Sequence, residues 1–159
     1  MSDSAVNDAF VPVIGPGVKL SIALYHFVSP LGSAGEDMRD LGAEVTLFCA
    51  IMRQVRVIFD KPKSFRISTT AIQDVHEVLA RGEVIFGRIK ALLSALQDDS
   101  TVDVFTRVKE TFRKTKVLMW KESLRSCTAM VQVMLTTMSF AERIATTGSE
   151  NVLLSRGWS

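Results

Sequence analysis

The chain has 159 residues, 47% of them apolar and 23% charged, with a formal net charge of +2. That length suits one domain with a buried core, the composition excludes a disordered chain, and the net charge is too small to argue for nucleic acid. Its distribution says more: residues 1–60 hold four basic and seven acidic side chains, whereas residues 61–159 hold fifteen and ten.

Residues 1–16 read as a flexible N-terminal arm, closed by "GPG" at 15–17. The arm is no signal peptide, because Asp3 and Asp8 stand where a basic segment belongs and Pro12 and Pro16 interrupt the apolar run. No run reaches the ~18 to 20 uninterrupted apolar residues that a spanning helix needs, so a cytoplasmic protein is expected. A short helix, "VKLSIALYHFVS", follows from Val18 to about Ser29. It carries two apolar rows, Val18, Ile22 and Tyr25 on one and Leu20, Leu24 and Phe27 on the other. A helix apolar on nearly all sides is normally buried or membrane-seeking.

Ser33 and Glu36 have the spacing of a capping box, which predicts that a second helix opens there and runs to about Phe59, where "DKPKS" ends it. Within it Met38, Leu41, Val45, Phe48, Met52 and Val55 fall at alternating steps of three and four, one apolar stripe. Thr70 and Gln73 repeat the capping-box spacing and predict a third helix to about Leu96. Its stripe is Ile72, Val75, Leu79, Phe86, Ile89, Leu93 and Leu96, with Gly82 in the missing position. The last segment shows two registers. Phe105, Val108 and Phe112 fit one; Val117, Trp120, Leu124, Cys127, Val131, Met134, Met138, Ala141 and Ala145 fit the other, which predicts a break or kink at "RKTK". Gly148 stops the long helix, and residues 148–159 read as a mobile tail. No alternating strand pattern appears. The expected fold is all-α: an antiparallel bundle of four to five helices over residues 17–147.

The chemistry-bearing residues are few. "HEVLA" at 76–80 has Ala80 where a second zinc ligand belongs, and "GPGVKL" lacks the third glycine of a dinucleotide fingerprint. Cys49 and Cys127 lie in apolar patterns and read as reduced core thiols in preference to a disulfide. No catalytic residue, metal site, cofactor or small-molecule substrate is expected. Two features carry an interaction reading beside a plain one. The basic stretch 107–125 includes Arg107, Lys109, Arg113, Lys114, Lys116 and Lys121. It is a solvated helix face or a contact for acidic lipid or an acidic protein partner; nucleic acid is disfavoured, because helical spacing places Phe112 and Trp120 on the apolar side. "MVQVMLTTM" at 130–138 is core packing or an adaptable, methionine-rich binding surface.

Taken in order, "GVKLSIALYHFVSP", "DMRDLGAEVTLFCAIMRQV", "FRISTTAIQDVHEVL" and "TRVKETFRKTKVLMWKESLRSCTAMVQVML" resemble the fungal HeLo-like N-terminal domains over roughly residues 15–146. The resemblance implies a helical bundle related to cell-death bundles, in which activation releases an N-terminal helix that attacks a membrane. It implies Val18, Leu20, Ile22, Leu24, Tyr25 and Phe27 as the membrane-active helix, and matches Arg107, Lys109, Arg113, Lys114 and Lys116 to the family's basic element. Members begin with a longer apolar lead-in, whereas "SDSAVNDAFVPVIGP" is polar and broken by two prolines. The expected function is a signalling module that works through protein partners or self-association and reaches membranes on activation. The alternative is a purely structural assembly domain of a truncated receptor.

Overall fold

The computed structural model describes residues 3–27, 32–60, 68–97 and 114–156. Among these residues there are four helices and no strand: α1 (Asp3–Phe27), α2 (Gly32–Phe59), α3 (Thr69–Gln97) and α4 (Lys114–Arg156). The all-α bundle expected from the sequence is the fold.

α2 is the most completely covered helix. Met38, Leu41, Val45, Phe48, Met52 and Val55 are all fully buried, so the alternating steps of three and four trace the core-facing stripe. Burying each of these contributes about 1.5 to 3 kcal/mol before conformational entropy is charged. The helix stops at Phe59, and Asp60 N–H donates to Arg56 O at 2.9 Å in the closing turn.

α3 buries Val75, Leu79, Ile89 and Leu93 along its predicted stripe. Gly82 fills the remaining stripe position for a steric reason: a Cβ there would lie 2.7 Å from both Cε1 and Cζ of Phe48. The absent side chain lets Phe48 reach Phe86, and the two rings meet edge to face with centroids 5.8 Å apart at 89°. The N-cap is Ser68, not Thr70, since Ser68 Oγ accepts the Ala71 N–H at 3.1 Å.

α1 departs most from expectation. The arm predicted for residues 1–16 is helical from Asp3 onward and continues without interruption through "GPG" to Phe27. Phe10, Val13, Gly17, Leu20 and Leu24 form its buried row at alternating steps of three and four. Pro12 and Pro16 lie one turn apart on the exposed side. There the carbonyls that lose a proline N–H face water, which blunts the usual cost of proline in a helix. Phe10 meets Phe59 of α2, with ring centroids 6.3 Å apart. A Cβ at Gly17 would overlap Cys49 Sγ of α2 and lie 2.7 Å from Phe86 Cε2 of α3, so this glycine seats α1 between the two.

These contacts fix the topology. α1 packs on α2 and α3, and α4 packs on the same two helices from the other side. Phe10 beside Phe59, and Leu24 beside Gly42, make α1 and α2 antiparallel. Lys121 reaches Asp40 and Arg125 reaches Glu44, both across a sequence offset of 81, so α4 runs parallel to α2. Carried along the pair, that offset sets Phe59, the last residue of α2, level with Phe140. α4 has 43 residues and α2 has 28, roughly 65 Å against 42 Å at 1.5 Å per residue. The end of α4 therefore projects past α2. The tail predicted for residues 148–159 is correspondingly helical as far as Arg156; Gly148 does not end the helix, because a lone glycine costs a helix only about 1 kcal/mol. Of the predicted kink at "RKTK", Arg113 lies outside the described residues, and the other three positions are part of α4, which is continuous from Lys114.

Candidate interaction surfaces

The six residues singled out on the first helix divide between core and surface. Leu20 and Leu24 are buried, whereas Ile22 and Tyr25 are 52% and 45% exposed. Val18 is half-buried, and the side chain of Phe27 lies outside the described residues. Ser21 is buried and satisfies its hydroxyl by donating to Val18 O at 3.0 Å. The inner row is held closely. A Cβ at Gly42 of α2 would stand 3.5 Å from Leu24 Cβ and 3.5 Å from Tyr25 Cε2, ordinary contact distances that bring the α1 and α2 backbones together. Once the helix is seen to run through the prolines, Asp8–His26 is long and apolar enough to cross a membrane by length and composition, with 33% of that stretch buried. The sequence reading missed this by dividing the stretch at "GPG".

The described residues of the basic stretch divide between the surface and the α2–α4 seam. Arg107, Lys109 and Arg113 lie outside the described residues, as does the side chain of Lys114; Lys116 is exposed. Lys121 is a correction to the expected lipid or partner contact. It is buried against α2, with its Nζ donating to Asp40 Oδ2 at 2.9 Å. Arg125 Nε donates to Glu44 Oε1 at 2.6 Å, and its Nη1 donates to Glu122 Oε1 at 3.0 Å. The hydrogen bond from Lys121, reinforced by its charge, holds the Asp40 carboxyl below the usual 3.8. The bond to Glu44 holds the Arg125 guanidinium still more firmly in its charged form. Two cations of the stretch thus stitch α4 to α2. Their acidic partners sit 81 residues away, a pairing that local spacing could not reveal.

The methionine-rich run is shared between core and surface. Val131 is buried, Met134, Leu135 and Met138 are half-buried, and Met130 and Val133 are exposed. Together with Ser68 at the N-cap of α3 and with Thr70, Asp74 and Val78 within it, the methionines line an open cleft of about 370 Å³. Further along, the apolar surface is uncovered: Val133, Phe140 and Ile144 are 67%, 65% and 58% exposed. Ala141 and Ala145, expected in the core, are exposed as well, because they lie level with or beyond the end of α2. A second cleft of about 520 Å³, lined by Glu77, Arg81, Arg88, Ser123 and Ser126, lies nearer the middle of the α3–α4 seam.

Four further side chains could carry chemistry, the two cysteines and the two histidines. Burial pushes the Cys49 thiol up to about 11 and the Cys127 thiol upward as well, which withholds the nucleophilic thiolate at neutral pH. His26 is exposed in the last turn of α1. His76 is half-buried on α3, and its Nε2 is buried without a hydrogen-bond partner. Comparison of the chain with protein-family models, with curated proteins and with solved structures finds no match, so fold and surfaces carry the functional reading.

Proposed function

We propose that this chain is a non-catalytic signalling and interaction module of the kind represented by the fungal HeLo-like domains, a cell-death effector whose α1 engages membranes when it leaves the bundle. The supporting observation is the state of α1. It holds a membrane-length apolar stretch of which 33% is buried, and it presents Ile22 and Tyr25 to solvent while its other row rests on α2 and α3. Releasing it would uncover Phe10, Val13, Leu20 and Leu24 together, a helix apolar on most of its circumference. In this reading the protein is cytoplasmic at rest and membrane-associated on activation, and it needs no cofactor.

The geometry supplies a direct test. The 3.5 Å separation between Leu24 Cβ and a Cβ at Gly42 lies in the range a disulfide spans, so Leu24→Cys with Gly42→Cys can pin α1 to α2. Dye leakage from phosphatidylcholine–phosphatidylserine vesicles is measured for the parent chain, for Gly17→Ala, whose methyl pushes α1 off Cys49 and Phe86, and for the paired-cysteine variant. Leakage is expected to rise in Gly17→Ala, to vanish in the oxidised pair and to return on reduction. Equal leakage in the oxidised and reduced pair, or vesicles left intact by all three chains, would overturn the membrane reading.

A second reading, an assembly domain without membrane activity, is favoured by a different observation: the uncovered apolar residues of α4. Oligomers that leave vesicles intact are its expected signature.

A further inference from the structure

Past the middle of α4, the helix carries a second apolar row beside the one that faces the core. Met130, Val133, Thr137, Phe140 and Ile144 follow one another at steps of three, four, three and four, and every one of them is exposed. This is the a/d spacing of a coiled-coil seam. The single polar member does not interrupt it. Thr137 Oγ1 donates to Val133 O at 2.9 Å, so the hydroxyl is satisfied on its own helix and the methyl group completes the row. Thr136 does the same with Gln132 O at 2.9 Å. From Ser126 to Ala141 the helix carries no charged side chain at all.

We infer that this row is a self-association surface and that its occupant is α4 of a second copy of the chain, running antiparallel about Thr137. Charge selects the occupant. An acidic or basic partner segment would bury its charges against a surface without net charge: within the span of the row, Met130 to Ile144, the one anion, Glu142, and the one cation, Arg143, cancel, so a film of anionic lipid finds no net positive charge to hold it. A second copy presents the same neutral row. Antiparallel pairing about Thr137 sets Phe140 near the smaller Val133 of the other copy and Ile144 opposite Met130, so the row complements its own reverse, as a two-fold interface requires. The fold selects the direction. α4 projects past α2 from about Phe140, so antiparallel pairing carries the two bundles to opposite ends of the joined helices. Parallel pairing would set them side by side. Two such rows closing on each other, with the methionine cleft beside them, remove on the order of 1,000 Å² from water, the lower bound for a specific interface.

The inference gives the assembly reading its surface and is independent of α1. Sedimentation velocity of the full chain over a range of concentrations tests it, alongside Phe140→Glu/Ile144→Glu. Both positions are exposed, so the monomer's helicity and melting in dilute solution serve as the folding control. A reversible dimer is expected in the parent, weakened about 100-fold or more by the two charges. In a second variant, Thr137→Cys, mild oxidation is expected to give a covalent dimer, because the two-fold axis brings residue 137 against itself; Ser139→Cys, off the row, is expected to remain monomeric. A dimer of unchanged affinity in the double variant, or equal cross-linking at 137 and 139, would overturn this surface while leaving the assembly reading standing. A parent chain that is monomeric at every concentration would overturn both.

Discussion

α2 and the second half of α4 carry stripes of the same three-and-four spacing and meet opposite fates. On α2 all six stripe residues are fully buried, because α1 and α4 flank the helix. On α4 the stripe is buried at Val117, Leu124, Cys127 and Val131, half-buried at Met134 and Met138, and exposed at Ala141 and Ala145. The periodicity is continuous and the cover is not. A stripe in a sequence says which residues face the same way; whether anything lies against them depends on where the neighbouring helices end.

The sharpest way to break this contrast is to remove one ring from each region. Phe48→Ala should cost about 3 to 5 kcal/mol in denaturant unfolding, since the ring is fully buried between Gly82 and Phe86. Phe140→Ala, in dilute solution, should change stability by no more than about 0.5 kcal/mol. Similar losses from both would mean that α4 is as well covered as α2.

Two glycines of α3 extend the comparison to added bulk. Gly82→Ala forces a methyl against Phe48, and overpacking of about 1 to 3 kcal/mol should outweigh the gain in helix propensity. At Gly87 a Cβ meets nothing within 4 Å, so Gly87→Ala should raise stability by about 0.5 to 1 kcal/mol. Thermal melting of the pair should therefore show shifts of opposite sign.

A smaller effect is expected at the seam that joins the two regions. Lys121 keeps the Asp40 carboxyl ionised to lower pH than an ordinary aspartate. The stability this contributes is present above the ordinary carboxylate range and is lost as pH falls through the lowered folded-state value. Asp40→Asn removes that titration, so the variant should lose less stability than the parent on acidification below about pH 4. An identical acid profile would show that the ion pair does not bear on folding.

Much of the fold was legible because it is local and periodic. The C-terminal ends of α2 and α3 follow from the loss of pattern, whereas their starts precede the expected capping residues, α2 opening at Gly32 ahead of Ser33 and α3 being capped by Ser68 ahead of Thr70; the gap in the α3 stripe at Gly82 is itself informative, since the missing side chain is the space Phe48 occupies. What could not be read is non-local. Pro12 and Pro16 argue for a break in any isolated segment, and only the burial of Phe10 and Val13 against the rest of the bundle shows why the helix survives them. Nothing near Lys121 in the sequence points to Asp40, so a residue suited to a surface contact proved to be one that joins two helices. The candidate surfaces were half visible: the methionine run stood out, but the exposed row through Phe140 and Ile144 becomes apparent only when α2 is seen to end level with it.

Hydrogen exchange, followed residue by residue in dilute solution, tests the contrast between the two regions most directly. Amides around Val45 to Val55 should exchange only through global unfolding, and those around Phe140 to Thr147 should exchange orders of magnitude faster, with protection that grows as the protein is concentrated. Equal and concentration-independent protection in the two regions would contradict it, because the end of α4 would then be covered within a single chain.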